Sequence, residues 1–228
     1  MNPRTETGPA TIGGVVMAAG AGRRMGGVPK SLLQRDGEPL LLRQVRLMAE
    51  VGAGIIVVVL GHHADRVTAV LERARSTATP AIDARELIWV TNPAPDDGTG
   101  SSLRCALAAL PAGLSAWLVA LGDQPLLEAA DVHAILQAWM QRPAGTELVV
   151  PQHADRLGHP VIFGRAVRDA VMDARVGQGV RAWRRTHPDR VLALPVAHAR
   201  YTTDVDTPAD LARLREQHRV QLEWPPGG

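Results

Sequence analysis

Short aliphatic runs alternate along this chain with amphipathic stretches. The runs at residues 14–19, 55–60, 87–91, 117–121, 148–150, 161–163 and 191–194 read as strands. Most are continuously apolar rather than alternating, the pattern of strands covered on both faces. Helical periodicity falls between them, at residues 39–51, 64–75, 101–110, 129–141, 166–173, 179–186 and 208–218. Strand and helix in broad alternation predict an α/β fold of Rossmann-like type, a mainly parallel, mixed sheet with helices on both faces. Ligands in such sheets sit beyond the carboxyl ends of the strands, which directs attention to the loops after the first, fourth and last strands. No repeat or linker divides the chain, so residues 12–220 are expected to form one domain. The polar stretch 1–11 and the turn-rich 224–228 are expected to be flexible termini.

Composition narrows the function classes. With 46% hydrophobic and 21% charged residues over 228 positions, the chain can bury a large core. Aromatic residues are only 3%, too few for a platform that stacks single-stranded bases, so no nucleic-acid partner is expected. The net charge of +2 calls for no polyanion either. The longest aliphatic run, residues 55–60, is far short of the roughly 20 residues of a spanning helix, and the N-terminal stretch lacks an apolar signal centre. No membrane association and a cytoplasmic location are therefore expected. Cys105 is the single cysteine, read as a small residue on the buried face of a helix. His62 and His63 read as a surface feature of a helix start. Lys30 is the one lysine among 25 basic residues, a point charge that arginine replaces imperfectly.

Lys30 closes the sharpest motif, Val15-Val-Met-Ala-Ala-Gly-Ala-Gly-Arg-Arg-Met-Gly-Gly-Val-Pro-Lys30. A strand runs straight into small residues, whose amides can approach a phosphate, and then into the cations Arg23, Arg24 and Lys30. It is not a Walker A loop, and Met25 breaks the dinucleotide fingerprint. The fourth strand delivers Leu121-Gly-Asp-Gln-Pro125, with Asp123 just beyond a buried strand, where a carboxylate needs a cation. Near the end, Thr203-Asp-Val-Asp-Thr-Pro-Ala-Asp-Leu211 puts Asp204 and Asp206 on one side of an extended segment before a capped helix. Asn92-Pro93 with Gly98-Thr-Gly-Ser-Ser-Leu103, and Gly158-His-Pro-Val161, complete the set.

These strings resemble the signature of NTP-dependent nucleotidyltransferases, and in particular the molybdenum cofactor cytidylyltransferase family with its MobA-like NTP transferase domain. The resemblance spans about residues 14–214 and implies a nucleotide-diphospho-sugar-transferase-like fold. It implies a Mg²⁺-dependent transfer of CMP from CTP to the phosphate of molybdopterin, with release of pyrophosphate. Ala18-Ala19-Gly20 and Asp123-Gln-Pro125 resemble the CTP-using branch. By the same resemblance, Ala18, Ala19, Gly20, Ala21, Gly22 and Gly122 meet the nucleotide, and Arg23 and Lys30 neutralise the triphosphate. Lys30, Arg23 and Asp123 form the catalytic set, and Asp123 with Asp206, or alternatively Asp204, holds Mg²⁺. Ser101, Ser102, His159 and Arg181 meet the acceptor. Thr99 and Gly177 depart from the family pattern, and Gly177 puts the acceptor contact there in question. Molybdoenzymes of the xanthine dehydrogenase kind and their chaperone are the partners the resemblance implies. GTP as donor, another phosphorylated acceptor, or a non-catalytic nucleotide-binding protein are the rival readings.

Overall fold

Seven of the aliphatic runs pair edge to edge in a single sheet. The computed structural model describes residues 11–77, 86–174 and 178–225. Its strands are β1 (Ile12–Ala18), β2 (Gln34–Arg35), β3 (Glu38–Pro39), β4 (Ile55–Leu60), β5 (Glu86–Thr91), β6 (Ala116–Leu121), β7 (Leu148–His153), β8 (Arg156–Leu157), β9 (Val161–Phe163), β10 (Val191–Pro195) and β11 (Leu222–Glu223). The helices are α1 (Leu40–Glu50), α2 (Ala64–Ser76), α3 (Thr99–Ala109), α4 (Ala129–Met140), α5 (Arg165–Asp173), α6 (Val180–Thr186) and α7 (Pro208–His218). The main sheet runs β10-β7-β9-β6-β1-β4-β5, with β8 folded back on β7. Pairing is parallel at β10–β7, β6–β1, β1–β4 and β4–β5, and antiparallel where β9 meets β6 and β7 and where β8 meets β7.

Alternation along the strands sends consecutive side chains to opposite faces, and each face has its own helices. Val16, Ile56, Val58 and Leu118 pack with Val45 and Met48 of α1, Leu71 of α2 and Ile135 of α4. Val15, Val57 and Val119 pack on the other side with Leu107 of α3, Val171 of α5 and Trp183 of α6. Burial on both faces is why these strands are apolar at every position.

A third cluster of Met25, Leu33, Leu40, Leu126, Val205, Leu214 and Val220 lies beyond the carboxyl ends of the strands. Above it β2, β3 and β11 form a second, three-stranded antiparallel sheet. This cluster joins the loop after β1, the loop after β6 and the segment leading into α7. Each strand of the small sheet is two residues long, below the length at which polarity alternation is legible in sequence.

Thr11, expected in a flexible terminus, is part of the fold, because its carbonyl accepts the Ser115 amide at 3.0 Å. Cys105 is half-buried beside the α3 cluster rather than in the interior. Among the described residues no helix is long and apolar enough to cross a membrane.

Candidate active site

The loop after β1 opens a cleft of about 340 Å³ whose wall is formed by residues 19–24. Gly22 adopts φ 61°, and a Cβ there would stand 1.9 Å from the Val28 carbonyl oxygen, so the turn requires glycine. Its carbonyl accepts the amides of Met25 at 2.8 Å and Gly27 at 3.0 Å, which closes the turn on itself. Ala19, Gly20, Ala21, Gly22 and Arg23 line the cleft. Ala18 and Gly122 lie at its root: the Gly122 amide donates to the Met17 carbonyl at 2.9 Å, and a Cβ on Gly122 would meet Ser31 at 3.2 Å.

Pro29 then caps a short 3-10 turn, Lys30–Leu32, pinned by the buried Leu32 and Leu33. That turn places the Lys30 ammonium 2.7 Å from an Asp123 carboxylate oxygen and 2.6 Å from one of Asp206. The two acidic motifs, 83 positions apart in the chain, are held together by their backbones as well, for the Val205 amide donates to the Asp123 carbonyl at 3.1 Å. Buried Val205 turns inward, leaving Asp204 and Asp206 on the opposite, partly exposed side. The loop that carries Asp123 is fixed from two directions. Gln44 of α1 donates to the Gln124 carbonyl at 2.8 Å, and the Gln124 amide nitrogen donates to the Tyr201 carbonyl at 2.9 Å.

Electrostatics in this cluster are unbalanced toward negative charge. Burial pushes the Asp123 pKa up; the Lys30 charge offsets part of this, while Asp204 and Asp206 add to it. Burial also works against the Lys30 charge, but Asp123 and Asp206 outweigh it and raise its pKa, so the ammonium stays protonated. Asp206 feels burial too, yet Lys30 and Arg24 hold its carboxyl below the ordinary range. Arg24, which donates to Asp206 at 2.7 Å, is a site residue that the motif reading counted only as a loop cation. Asp123 and Asp206 thus share Lys30, Asp206 also takes the exposed Arg24, and Asp204 adds a third negative charge beside Asp123. Hard oxygen donors with a deficit of positive charge suit a divalent cation of the Mg²⁺ or Mn²⁺ kind, completed by phosphate oxygens and water. Among the described residues no group of three His, Cys, Asp or Glu side chains is arranged as a self-sufficient metal cage.

Arg23 reaches across the cleft mouth to Asp96 at 2.9 Å, and His62 meets the same carboxylate at 3.2 Å. His63 bonds the Ala21 carbonyl at 3.0 Å through Nε2. The histidine pair is therefore not a mere surface feature of α2, since His63 contacts the loop after β1 and His62 the opposite rim of the cleft. Adjacent histidines carry no spacing signal, and only the three-dimensional return of the β4–α2 turn to the loop reveals them.

The expected acceptor residues lie outside this cleft. The Ser101 and Ser102 hydroxyls accept from the Asn92 side chain at 2.9 and 3.0 Å, and both residues are buried. Through Asn92 their side chains order the loop after β5. The His159 amide donates to the Tyr201 carbonyl that also holds Gln124, at 2.9 Å in both cases, which ties Gly158-His-Pro160 to the Asp123 loop. Burial, then the nearby Arg184 guanidinium, lowers the His159 pKa to about 4, so its imidazole is neutral at pH 7. Arg181 is exposed on α6, and Gly177 lies outside the described residues.

Residues 14–191 match the MobA-like NTP transferase domain. The chain belongs to this family. It is accordingly a nucleotidyltransferase domain of the kind that acts on a nucleoside triphosphate. Rv0371c from Mycobacterium tuberculosis H37Rv superposes with a TM-score of 0.70 at 30% identity, over 91% of this chain and 99% of that one. The same mycobacterial protein has been solved in complex with manganese, and there the TM-score is 0.67. Among curated proteins, the bifunctional protein GlmU of Kineococcus radiotolerans is 37% identical over 163 residues, 71% of this chain and 30% of that protein. The GlmU of Sorangium cellulosum is 33% identical over 165 residues, 72% of this chain. The chain spans about a third of the length of these curated relatives.

Proposed function

We propose that the cleft takes CTP and that the protein transfers its CMP unit to the terminal phosphate of a molybdopterin-type cofactor, in the cytoplasm, releasing pyrophosphate. The observation that carries this reading is the Lys30 ammonium seated between Asp123 and Asp206 beside a glycine loop that opens into the cleft. Phosphoryl chemistry of this kind needs no protein nucleophile. An acceptor phosphate oxygen attacks the α-phosphorus in line, a new P–O–P bond forms, and the bond to the β-phosphate breaks. The protein's work is to hold both anions and absorb charge as pyrophosphate departs.

Asp123 and Asp206 would hold Mg²⁺, whose contribution when bound is to neutralise phosphate charge. Lys30 keeps those carboxylates ordered and presents a fixed positive charge at the cleft floor. Residues 20–23 supply backbone amides and the Arg23 guanidinium to the triphosphate, and His159 and Arg181 are assigned to the acceptor. Cytosine as the base rests on the resemblance of Ala18-Ala19-Gly20 and Asp123-Gln-Pro125 to the CTP-using branch. The molybdoenzyme partners rest on the resemblance as well.

The deciding experiment measures pyrophosphate release with Mg²⁺ and each of the four NTPs, with and without molybdenum-loaded molybdopterin. Release with CTP that requires the pterin is the expected result. Release with GTP alone identifies a guanylyltransferase, and release with CTP that ignores the pterin points to another acceptor. CTP binding without release in any mixture identifies a non-catalytic binding protein.

A further inference from the structure

We propose that His63 is a positioning residue for the nucleotide loop: it holds the Ala21 carbonyl away from the cleft so that the two following amides face the triphosphate. The inference rests on the reading of the cleft as an NTP site and adds to it a residue from outside the loop.

The turn between β4 and α2 lies in backbone contact with the loop. A Cβ on Gly61 would stand 2.5 Å from the Ala19 carbonyl oxygen, so nothing larger than glycine lets the turn approach this closely. His63 follows as the residue just before α2, and its carbonyl accepts the Val67 amide at 3.1 Å, which fixes its backbone to the helix. A residue at this position commonly caps its own helix with its side chain. His63 makes no such bond, and its ring reaches instead to the Ala21 carbonyl at 3.0 Å.

The consequence follows from peptide geometry. In a trans peptide the C=O and the next N–H point to opposite sides. Pinning the Ala21 carbonyl toward α2 therefore turns the Gly22 N–H the other way. The next carbonyl, that of Gly22, is held within the turn by the Met25 and Gly27 amides, which turns the Arg23 N–H outward in the same manner. Successive amides presented from a left-handed residue form an anion-binding concavity. Ala21 has only a methyl group and Gly22 none, and the Arg23 and Arg24 guanidinium groups are engaged with Asp96 and Asp206 rather than with the Ala21 carbonyl.

The test compares His63→Leu, which removes the donor at similar volume, with His63→Gln, whose amide can still donate. Binding of CTP and of inorganic pyrophosphate is measured separately by calorimetry, alongside melting temperature and the split of KM and kcat. The expected result for His63→Leu is a Kd raised about tenfold for both ligands, the order of one lost positioning hydrogen bond, with KM for CTP rising in step and kcat little changed. His63→Gln recovers most of that affinity. Unchanged pyrophosphate affinity in His63→Leu, or equal weakening in both variants, overturns the assignment. Wild-type protein that binds neither ligand removes the NTP-site reading itself, an outcome distinct from a variant effect.

Discussion

Lys30 sits at the meeting point of the site's charges, and its removal separates its two effects. In Lys30→Ala, turnover is expected to fall at least about 10²-fold, the scale of losing one fixed group that stabilises developing charge. The variant should fold, but it leaves Asp123 and Asp206 without their shared ammonium, with Asp204 adding to the repulsion at Asp123. Its melting temperature at pH 7 should drop and should be raised by Mg²⁺ or Mn²⁺ more than that of the wild type; equal metal shifts in both proteins would contradict the assignment of these carboxylates. Asp123→Asn is the complementary case. Ionised Asp123 is costly to bury, so the amide should melt no lower than the wild type while losing metal-dependent activity. The sequence exposed Lys30 and both aspartates because each sits in a string whose small and turn-forming neighbours are legible by eye. Arg24, Asp96, His62 and His63 were not legible in the same way, since each acts through contacts with a part of the chain distant in sequence.

Among the elements, α7 matters because its first turn fixes the position of Asp206. The Asp210 carboxylate accepts the amides of Asp206 at 2.9 Å and Thr207 at 2.6 Å and also pairs with Arg213, so one side chain both caps the helix and holds Asp206 in place. Burial opposes its charge, but the Asp206 and Thr207 donors and Arg213 outweigh it, and its pKa is lowered. A carboxyl whose folded pKa is depressed stabilises above its unfolded value near 3.9, and that contribution is lost as pH falls through the folded value. The wild type should therefore lose the α7 cap in acid below about pH 4. Asp210→Ala should cost about 1 kcal/mol at pH 7, the usual worth of a capping residue, and flatten that acid limb in denaturant melts. A cost unchanged between pH 7 and pH 3 would show that Asp210 does not carry the cap. Thr207-Pro208 announced this helix start, and the main strands were equally plain from their apolar runs. The reversed direction of β9 was not, because three buried residues read the same way in either orientation.

At the scale of the whole molecule, the third apolar cluster gathers the site. Leu214→Ala, which empties part of the cluster beneath Val205, should cost about 2–4 kcal/mol. It should also raise the KM for nucleotide, because Met25 of the loop and Val205 of the acidic segment share that packing. Val171→Ala lies in the separate cluster under α5 and should lower stability with KM unchanged. Equal KM values in the two variants would show that the third cluster does not transmit packing to the site. This cluster was not visible in advance, since its members come from loops and from a small sheet too short to have a period. The union of Lys30 with Asp206 spans 176 positions of chain. Closing so long a loop comes late in folding, after the local strand-helix units have formed. During synthesis the nucleotide loop is thus made long before its second carboxylate. On the proposed reading, a nascent chain that has not yet extended past Asp206 would have its phosphate cradle but not the second carboxylate that turnover needs, and competence would wait for α7 to dock.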